Sequence, residues 1–552
     1  MTLSRGLSGR EAAAAQARAH PRILTVVLAL AAGVGPALAQ PPTGLWLGLS
    51  GFAVLIWLLD RVPGARPLRS AFWRGWLAGS AYFLLATWWV WQAFMVEPDI
   101  HGWQAPFAVA ALAAGLGLFW GAAATLYRLM APRSSRRILI FAAVFGATEW
   151  LRGHVLTGFP WDLPGEAWRA GGAVSQSAAL FGVYGLSLVT LAMAASPVLL
   201  VERRSLRSGR LAPLLAVIVF ASLWGFGSAR LALAPKPDPK LRAPLVRIVQ
   251  ANVAQAAKWD ASTFQDIIAR HVRLTSAPMD LPDRPTHPDI VIWSETAIPA
   301  LANDYLAPGA WTEKAIAGAL SPGQILLIGA ARSAPSAKGE AYFNSLIALE
   351  ARPQGLVPIA IYDKHHLVPF GEYLPFAHLA ERVGFKSLAH IGDGFDAGPP
   401  SHTQRLGNWP AMAPMICYEA LFPGAVRPDP QRAAWIVNVS NDAWFGPTSG
   451  PLQHYNMARY RAIEMGLPLA RATPTGVSAI VDAYGRPVVE IGQDRFGVIE
   501  HALPAAAPDT PYDRFGDLTY GLLTLLAVIF GWPGPRALAL LRNVAGRRPA
   551  DS

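Results

Sequence analysis

The chain has 552 residues and a formal net charge of +11, and 53% of its residues are hydrophobic while only 15% are charged. This composition is too apolar and too sparsely charged for an ordinary soluble protein. A nucleic-acid-binding protein would gather its basic residues along one groove with interleaved aromatic side chains, whereas the arginines here are scattered between apolar segments, so we expect no nucleic-acid partner.

Eight apolar stretches are long enough to be helices that span a lipid bilayer. They occupy residues 23–39, 44–59, 73–95, 105–127, 137–151, 176–201, 211–229 and 519–541. The first ends in Ala37-Leu38-Ala39, as a cleavable signal peptide would, but the 22 residues before it are long for the charged region of such a peptide. We therefore expect an uncleaved first helix, with cleavage as the alternative.

The charged residues between these stretches alternate along the chain. Arginines precede the first stretch and follow the second, fourth, sixth and eighth, whereas Glu97 and Asp99 follow the third. Because the cytoplasmic loops of membrane proteins carry the excess of Lys and Arg, this alternation predicts that both termini are cytoplasmic and that everything between the seventh and eighth stretches lies outside the cytoplasm.

A different pattern runs from about residue 245 to 505. Short apolar runs, such as "DIVIWSET" and "AAWIVNVSND", alternate with turns and with helix-like stretches at 261–276 and 451–466. Strands interleaved with helices predict a layered α/β domain. We therefore expect a membrane domain at 1–235, an inserted α/β domain at 236–510, and the last span with its tail at 511–552.

Three reactive side chains in this domain follow apolar runs, at points where strands should end. They are Glu295 in "VIWSETAIP", Lys364 in "AIYDKHHL" and Cys417 in "PMICYEALFP". Catalytic groups gather at strand ends in α/β folds. Together the three supply a base for a thiol proton, a cation that favours a thiolate and stabilises an oxyanion, and a nucleophile, which is what acyl transfer requires.

Cys417 is the only cysteine in the chain, so an intramolecular disulfide is excluded. Most lone cysteines are small buried apolar residues, and this alternative stands beside that of a nucleophile. A thiol outside the cytoplasm stays free most easily when no second cysteine can pair with it. Glu372 and Glu419 lie close in sequence to the reactive groups, either as structural ion-pair partners or as residues that orient them.

The order Glu295, Lys364, Cys417, with the segments "DKHHLVPFGEYLP" and "ICYEALFP", resembles the nitrilase (carbon–nitrogen hydrolase) superfamily. The segments at 148–161 ("TEWLRGHVLTGFPW") and 438–482, together with the eight spans, narrow the resemblance to the bacterial apolipoprotein N-acyltransferase family. This resemblance covers nearly the whole chain. It implies a nitrilase-like αββα sandwich on the periplasmic side of the inner membrane.

The resemblance also implies a reaction and its partners. In this family the cysteine takes an acyl chain from a phospholipid, commonly phosphatidylethanolamine, and holds it as a thioester. It then passes the chain to the amino group of the diacylglyceryl-cysteine that begins a bacterial apolipoprotein, in a ping-pong mechanism. Both substrates are anchored in the lipid bilayer, and the resemblance implies no cofactor and no metal.

Matched residue by residue, the resemblance implies that Glu295 is the general base, Lys364 the oxyanion-stabilising lysine and Cys417 the nucleophile. The backbone N–H of Tyr418 would be the second oxyanion donor.

The remaining matches are supporting carboxylates and aromatic residues that line the substrate region or only pack in the core. The carboxylates are Glu372 and Glu419, and the aromatic residues are Trp259, Trp444 and Phe445. The segment "TPTG" at 473–476 departs from the family's pattern, so we assign it no role.

Two other functions remain open. A membrane-tethered amidase of the nitrilase type would use the same three groups with water as the acceptor and would hydrolyse a small amide. A non-enzymatic lipid transporter would carry charged or broken helices at mid-membrane. His365 and His366 would point to opposite faces of a strand, so we expect no zinc site.

The alternation of arginines can be tested with reporter fusions. A reporter enzyme that is active only after export should be active when fused after about residue 250, because that segment is predicted to lie outside the cytoplasm. The same reporter fused beside Arg133, after the fourth stretch, should be inactive. Activity of a cytoplasm-specific reporter at about residue 250 would contradict the predicted number of spans.

Overall fold

The structure, a computed structural model, describes residues 9–62, 66–132, 134–201, 206–235, 243–258, 260–279, 287–336, 339–374, 394–426 and 432–532. Within these ranges there are eleven helices of eight residues or more. The first seven are α1 (Gly9–Ala39), α2 (Gly51–Asp60), α3 (Pro67–Ala86), α4 (Ala105–Met130), α5 (Arg137–Arg152), α6 (Ala178–Ala195) and α7 (Leu206–Ala232). The others are α8 (Phe264–Thr275), α9 (Trp311–Gly318), α10 (Gly450–Met465) and α11 (Leu518–Gly531).

Each of the eight apolar stretches overlaps one of these helices, namely α1 to α7 and α11. Four helical segments are long and apolar enough to cross a membrane: Arg22–Ala39, Pro98–Met130, Val174–Val201 and Leu211–Ala232. Trp46–Asp60 and Leu518–Gly531 are shorter apolar helices. The apolar helices are those of a membrane protein, as the composition predicted.

The third predicted span is not one continuous helix. Helix α3 ends at Ala86, and the chain continues as a 3₁₀ turn over Trp88–Val90 and a short helical turn over Trp91–Phe94. The Thr87 hydroxyl donates to the Phe83 carbonyl at 2.7 Å. Such a bond from a threonine side chain back to the preceding turn competes with the regular helical bond and bends or ends a helix.

The sixth predicted span is interrupted near its end, and the eighth lies only partly within the described residues. Helix α6 ends at Ala195, and a separate helical turn, Val198–Val201, follows Pro197. Proline has no N–H to donate to the preceding turn, so it interrupts the helix there. The eighth predicted span is helical as far as Gly531, and its residues after 532 lie outside the described ranges.

Small residues let α3 and α4 pack closely. A Cβ at Gly79 would lie 3.0 Å from the Cα of Gly117, and a Cβ at Gly117 would lie 2.5 Å from the Ser80 hydroxyl. Larger side chains would force the two backbones apart. Close packing of this kind holds helices together where no hydrophobic effect acts between them.

Two six-stranded sheets form the α/β domain. The strands are β1 (Leu245–Gln250), β2 (Ile290–Trp293), β3 (Ile325–Ser336), β4 (Gly339–Arg352), β5 (Gly355–Asp363), β6 (Gln404–Leu406), β7 (Trp409–Ile416), β8 (Trp435–Val439), β9 (Leu469–Ala472), β10 (Ser478–Val481), β11 (Pro487–Ile491) and β12 (Gly497–Ala502). The first sheet has the order β12-β1-β2-β3-β4-β5 and the second β11-β10-β9-β8-β7-β6. β1, β2 and β3 run parallel, as do β7, β8 and β9, and the other neighbours are antiparallel.

Alternation of apolar side chains along the strands produces four layers. Ile290 and Ile292 of β2 face Val437 and other residues of the second sheet, in a core between the two sheets. Val291 of the same strand faces outward and packs beneath α8 and α9. Ile436 of β8 packs beneath α10 on the other outer face. The predicted αββα sandwich is confirmed.

Nine apolar runs of the α/β domain predict strands, and each of them forms one, namely β1 to β5, β7, β8, β10 and β11. Sequence reasoning missed β6, β9 and β12. β6 has three residues, and β9 ("LARA") consists of residues that favour helices, so neither carries a strand pattern of its own. These strands form because their neighbours offer a hydrogen-bonding edge.

Helix α10 joins the sandwich to the apolar helices. The helices α1 to α7 and α11 are called the membrane part below. One face of α10 covers the second sheet, and the other contributes Tyr460 and Ile463 to the core of the membrane part. The loop between α5 and α6 bonds to the same helix: the Asn456 amide accepts from the Ala170 N–H at 2.9 Å and donates to the Glu166 carbonyl at 3.1 Å. The Tyr460 hydroxyl donates to the Gly165 carbonyl at 3.0 Å.

Replacing Asn456 with alanine should destabilise the whole protein. The change leaves two buried backbone groups without partners, at a cost on the order of 1–3 kcal/mol. We expect a lower Tm for the full-length chain in detergent, whereas Lys314→Ala, at an exposed position of α9, should change the stability by less than about 0.5 kcal/mol. Equal melting of Asn456→Ala and the wild type would show that this junction contributes little.

Candidate active site

Glu295 lies two residues beyond the end of β2, and its carboxylate is buried. The Asn344 side chain on β4 donates to Glu295 Oε1 at 2.6 Å. β3 passes so close that a Cβ at Gly329 would lie 2.4 Å from the Glu295 Cα, so only glycine fits at this point. The close backbone of β3 therefore fixes where the Glu295 side chain starts.

Lys364 directly follows β5, and only 1% of its surface is exposed. Its Nζ lies 2.9 Å from the Glu372 carboxylate and 3.5 Å from Glu295 Oε1. Asn344 links the two carboxylates, since it also donates to Glu372 Oε1 at 2.7 Å. Burial alone would lower the pKa of Lys364, but Glu372 and Glu295 outweigh it and raise that pKa well above its usual value. The ammonium therefore stays charged.

Cys417 directly follows β7, at a sharp turn from the strand into a 3₁₀ helix over Cys417–Leu421. Its φ is +47°, which costs a residue with a side chain about 1–3 kcal/mol and persists only where the surroundings hold it. The Glu419 carboxylate helps to hold the turn, because its Oε2 accepts from the Ile416 N–H at 2.7 Å. A strained strand-to-helix turn presents its side chain at the edge of a sheet, as nucleophile elbows do.

The Cys417 thiol is neutral in this arrangement. Burial and the charge of Glu295 raise its pKa far above the usual value, and the effects of Lys364 and a hydrogen bond with Ser440 offset only part of that rise. Lys364 does favour the thiolate, but burial and the carboxylate outweigh its effect on the pKa of the thiol. Reaction at this sulfur requires a base that removes the proton during the attack.

The two further glutamates differ in their contacts. Glu372 forms the ion pair with Lys364 and also accepts from the Val368 N–H at 2.8 Å. Glu419 accepts from uncharged donors: the Tyr362 hydroxyl at 2.6 Å, the backbone N–H groups of His365 at 2.9 Å and His366 at 3.2 Å, and Ile416. Glu419 thus links the turn after β5 to the turn after β7, whereas Glu372 is an ion-pair partner.

Aromatic contacts connect the Cys417 turn with the apolar helices. The Tyr418 hydroxyl donates to the carbonyl of Gly158, in the loop after α5, at 2.6 Å. The Phe445 ring centroid lies 4.5 Å from that of Trp89 and 5.8 Å from that of Trp161. The candidate nucleophile therefore lies at the junction between the sandwich and the membrane part.

The other sequence-predicted positions have separate outcomes. Trp444 is half-buried next to Phe445, and Trp259 lies outside the described residues. In the segment 473–476, a Cβ at Gly476 would lie 2.4 Å from the carboxylate of Asp442, a buried residue that follows β8.

Sequence reasoning missed two polar side chains of the site, Lys258 and Asn344. Lys258 is buried and donates to Asn441 Oδ1 at 3.0 Å. Burial lowers its pKa to about 8, against the opposing effects of Glu295 and Cys417. The available signal for Asn344 was a polar residue within the apolar strand "YFNSLIALE", and Lys258 had no comparable signal.

The adjacent histidines are not on opposite faces of a strand, so that prediction is wrong. β5 ends at Asp363, and His365 and His366 lie in the following bend with their ring centroids 4.9 Å apart. Within the described ranges, no group of three His, Cys, Asp or Glu side chains could hold a metal ion.

Comparison with known families gives two matches along the chain. Residues 245–510 match the carbon–nitrogen hydrolase family, and residues 32–196 match the apolipoprotein N-acyltransferase N-terminal domain. The sandwich carries a glutamate, a lysine and a cysteine at the ends of three strands, and it is joined to apolar helices. The chain thus combines a carbon–nitrogen hydrolase domain with a membrane part.

Three curated relatives are similar along nearly their whole length. The apolipoprotein N-acyltransferase of Caulobacter vibrioides is 52% identical over 91% of this chain and 93% of the relative. Those of Allorhizobium ampelinum and Rhodopseudomonas palustris are 41% and 38% identical, over 88% and 91% of this chain and 91% and 94% of the relatives. The chain belongs to the apolipoprotein N-acyltransferase family.

The raised pKa of Cys417 predicts how its reactivity depends on pH. Alkylation by iodoacetamide requires the thiolate, so its rate should rise about tenfold per pH unit from about pH 7 to 10, without levelling off near pH 8.5 as an unperturbed thiol does. The label reports on Cys417 alone, because the chain has one cysteine. Glutathione in the same buffers is the control, and a plateau for the protein below about pH 9 would contradict the raised pKa.

Proposed function

We propose that the protein transfers an acyl chain from a phospholipid to the amino terminus of a bacterial apolipoprotein. The observation that carries this proposal is the grouping of Glu295 and a permanently charged Lys364 around the thiol of Cys417 at the junction with the membrane part. The names of the relatives supply the substrate, since each is an apolipoprotein N-acyltransferase.

In the first half-reaction, Glu295 accepts the thiol proton while Cys417 Sγ attacks the ester carbonyl of the phospholipid. The oxyanion that forms accepts hydrogen bonds from Lys364 Nζ and the Tyr418 N–H. The intermediate then collapses, the ester C–O bond breaks, and the lysophospholipid oxygen takes the proton from Glu295. The products are a thioester on Cys417 and a lysophospholipid, with phosphatidylethanolamine as the expected donor.

In the second half-reaction, the amino group of a diacylglyceryl-cysteine attacks the thioester. Glu295 accepts a proton from the amine, an amide bond forms, and the C–S bond breaks. The sulfur then recovers a proton from Glu295. The same carboxylate therefore acts in both halves, and neither step needs an oxidant or a cofactor.

The proposed arrangement in the cell follows from the arginine alternation. Residues 1–235 would form the first membrane domain and 236–510 the catalytic domain on the periplasmic side of the inner membrane. Residues 511–552 would return the chain to the cytoplasm. The contacts of Tyr418 and Phe445 with the membrane part support a site that opens toward lipid.

The proposed reaction can be tested through its covalent intermediate. Full-length protein in detergent, incubated with phosphatidylethanolamine, should show by mass spectrometry an acyl chain on Cys417. Cys417→Ala and Cys417→Ser should show none, since a serine hydroxyl is poorly deprotonated in a site built for a thiol. Glu295→Gln should slow both adduct formation and its transfer to a diacylglyceryl peptide by about 10²–10⁴-fold.

The controls separate this function from its alternatives. Glu350→Gln alters an ion pair with Arg352 on the surface of β4 and should leave both rates near those of the wild type. An adduct that water removes as fast as the peptide does would favour the tethered amidase. A wild-type chain that binds phospholipid without any adduct would contradict the transferase and favour a transporter.

A further inference from the structure

A buried histidine contacts the backbone of the candidate nucleophile. His454 on α10 is fully buried, and its Nε2 lies 3.1 Å from the Cys417 carbonyl oxygen. Its Nδ1 lies 3.0 Å from Asp442 Oδ1. Asp442 is itself held by Arg471 at 2.7 Å and by the Ser440 hydroxyl at 2.7 Å. Asp442 therefore holds Nδ1 of the imidazole ring, and Nε2 on the other side of the ring contacts the backbone of Cys417.

The contact with the Cys417 carbonyl determines that Nε2 of His454 is protonated. A backbone carbonyl can only accept, so Nε2 must carry the hydrogen that faces Cys417. On the other side, Nδ1 either donates to Asp442 or accepts from Arg471, whose NH2 group lies 3.2 Å away. In both states the Nε2–H donates to the Cys417 carbonyl.

That carbonyl belongs to the same planar peptide group as the Tyr418 N–H, the proposed second oxyanion donor. Because the group is rigid and trans, fixing the direction of the Cys417 C=O also fixes the direction of the Tyr418 N–H. A hydrogen bond accepted by the carbonyl also polarises the amide and strengthens its N–H as a donor. We propose that His454 is a positioning residue that aims and polarises the Tyr418 N–H toward the oxyanion, a role that rests on the proposed function.

Two other observations agree with this role. Cys417 has a φ of +47°, which persists only where surrounding contacts hold the turn, and the bond from His454 is one such contact beside that of Glu419. Gly476 packs directly on Asp442, where any side chain would displace the carboxylate that supports His454. The segment 473–476 thereby acquires a structural reason for its glycine.

Two amide replacements separate the contacts of His454. In His454→Gln, the side-chain N–H can reach the position of the imidazole Nε2 and donate to the Cys417 carbonyl. In His454→Asn, the shorter side chain reaches only the position of Nδ1 and leaves that carbonyl without its donor. Both variants bury an uncharged amide of similar polarity, so each is the control for the other.

Two reactions of the same sulfur show whether His454 acts on the oxyanion donor or only supports the structure of the site. Acylation by phosphatidylethanolamine passes through an oxyanion, whereas alkylation by iodoacetamide does not. Both are measured on full-length protein in detergent, with saturating phospholipid for the acylation rate. For His454→Asn we expect acylation to fall about 10- to 100-fold, somewhat less than the loss of a whole oxyanion donor, with the KM for phospholipid within about twofold. Its alkylation rate should remain within about twofold of the wild type.

The rescue by glutamine completes the test. His454→Gln should acylate at least about tenfold faster than His454→Asn. The role is overturned if His454→Asn acylates like the wild type, if it loses alkylation to the same extent as acylation, or if glutamine is no better than asparagine. If His454→Asn does not fold, His454→Met, which fills a similar volume without a donor, is compared with His454→Gln in the same way. A wild-type chain that forms no adduct would overturn the proposed function, and this role with it.

Discussion

Helix α10 is enclosed on every side, with fourteen of its sixteen residues buried, and the arrangement of the rest of the molecule depends on this burial. A helix in that position must satisfy each of its polar side chains within the protein, because an unpaired buried group costs as much as a lost hydrogen bond or more. Asn456 and Tyr460 bond to the loop between α5 and α6, and His454 bonds to Asp442 and to the Cys417 turn. One helix therefore fixes the position of the membrane part relative to the sandwich and to the Cys417 turn.

The candidate active site holds several charged side chains in a buried space. Lys364 and Asn344 each contact both Glu295 and Glu372. Lys364 lies closer to Glu372, so the charges of these two largely compensate each other. Glu295 is the carboxylate that acts on the thiol. Burial, reinforced by the charge of Glu295, keeps the sulfur protonated. Lys364 has three N–H donors, so it can hold Glu372 and still donate to an oxyanion. In the proposed reaction, proton transfer is therefore coupled to the attack and does not precede it.

Sequence patterns predicted a layered α/β domain, nine of its twelve described strands and the strand-end positions of Glu295, Lys364 and Cys417, because apolar runs and strand termini are local signals. The αββα sandwich was implied by the family resemblance. Two features could not be read from local signals: the positive φ of Cys417 and its contact with His454, which lies 37 residues away along the chain. The break after Ala86 has a local cause in the Thr87 hydroxyl, but a threonine within an apolar run does not by itself predict a break. The raised pKa of the Cys417 thiol depends on burial and on several charges together, none of which a motif reveals.

The first and last strands of the sandwich are neighbours. β1 and β12 pair in antiparallel register, with Leu245 opposite Ala502, so the chain enters and leaves the α/β domain at adjacent points on one sheet. A unit whose two ends meet can be inserted into a single loop of another fold without separating the elements on either side of that loop. The pairing also closes only after residue 502 has been synthesised, so the sheet that carries Glu295 and Lys364 is incomplete until just before the last apolar helix emerges. The second sheet, which carries Cys417, has all of its strands before β12, so its strands are synthesised before those of the first sheet are complete.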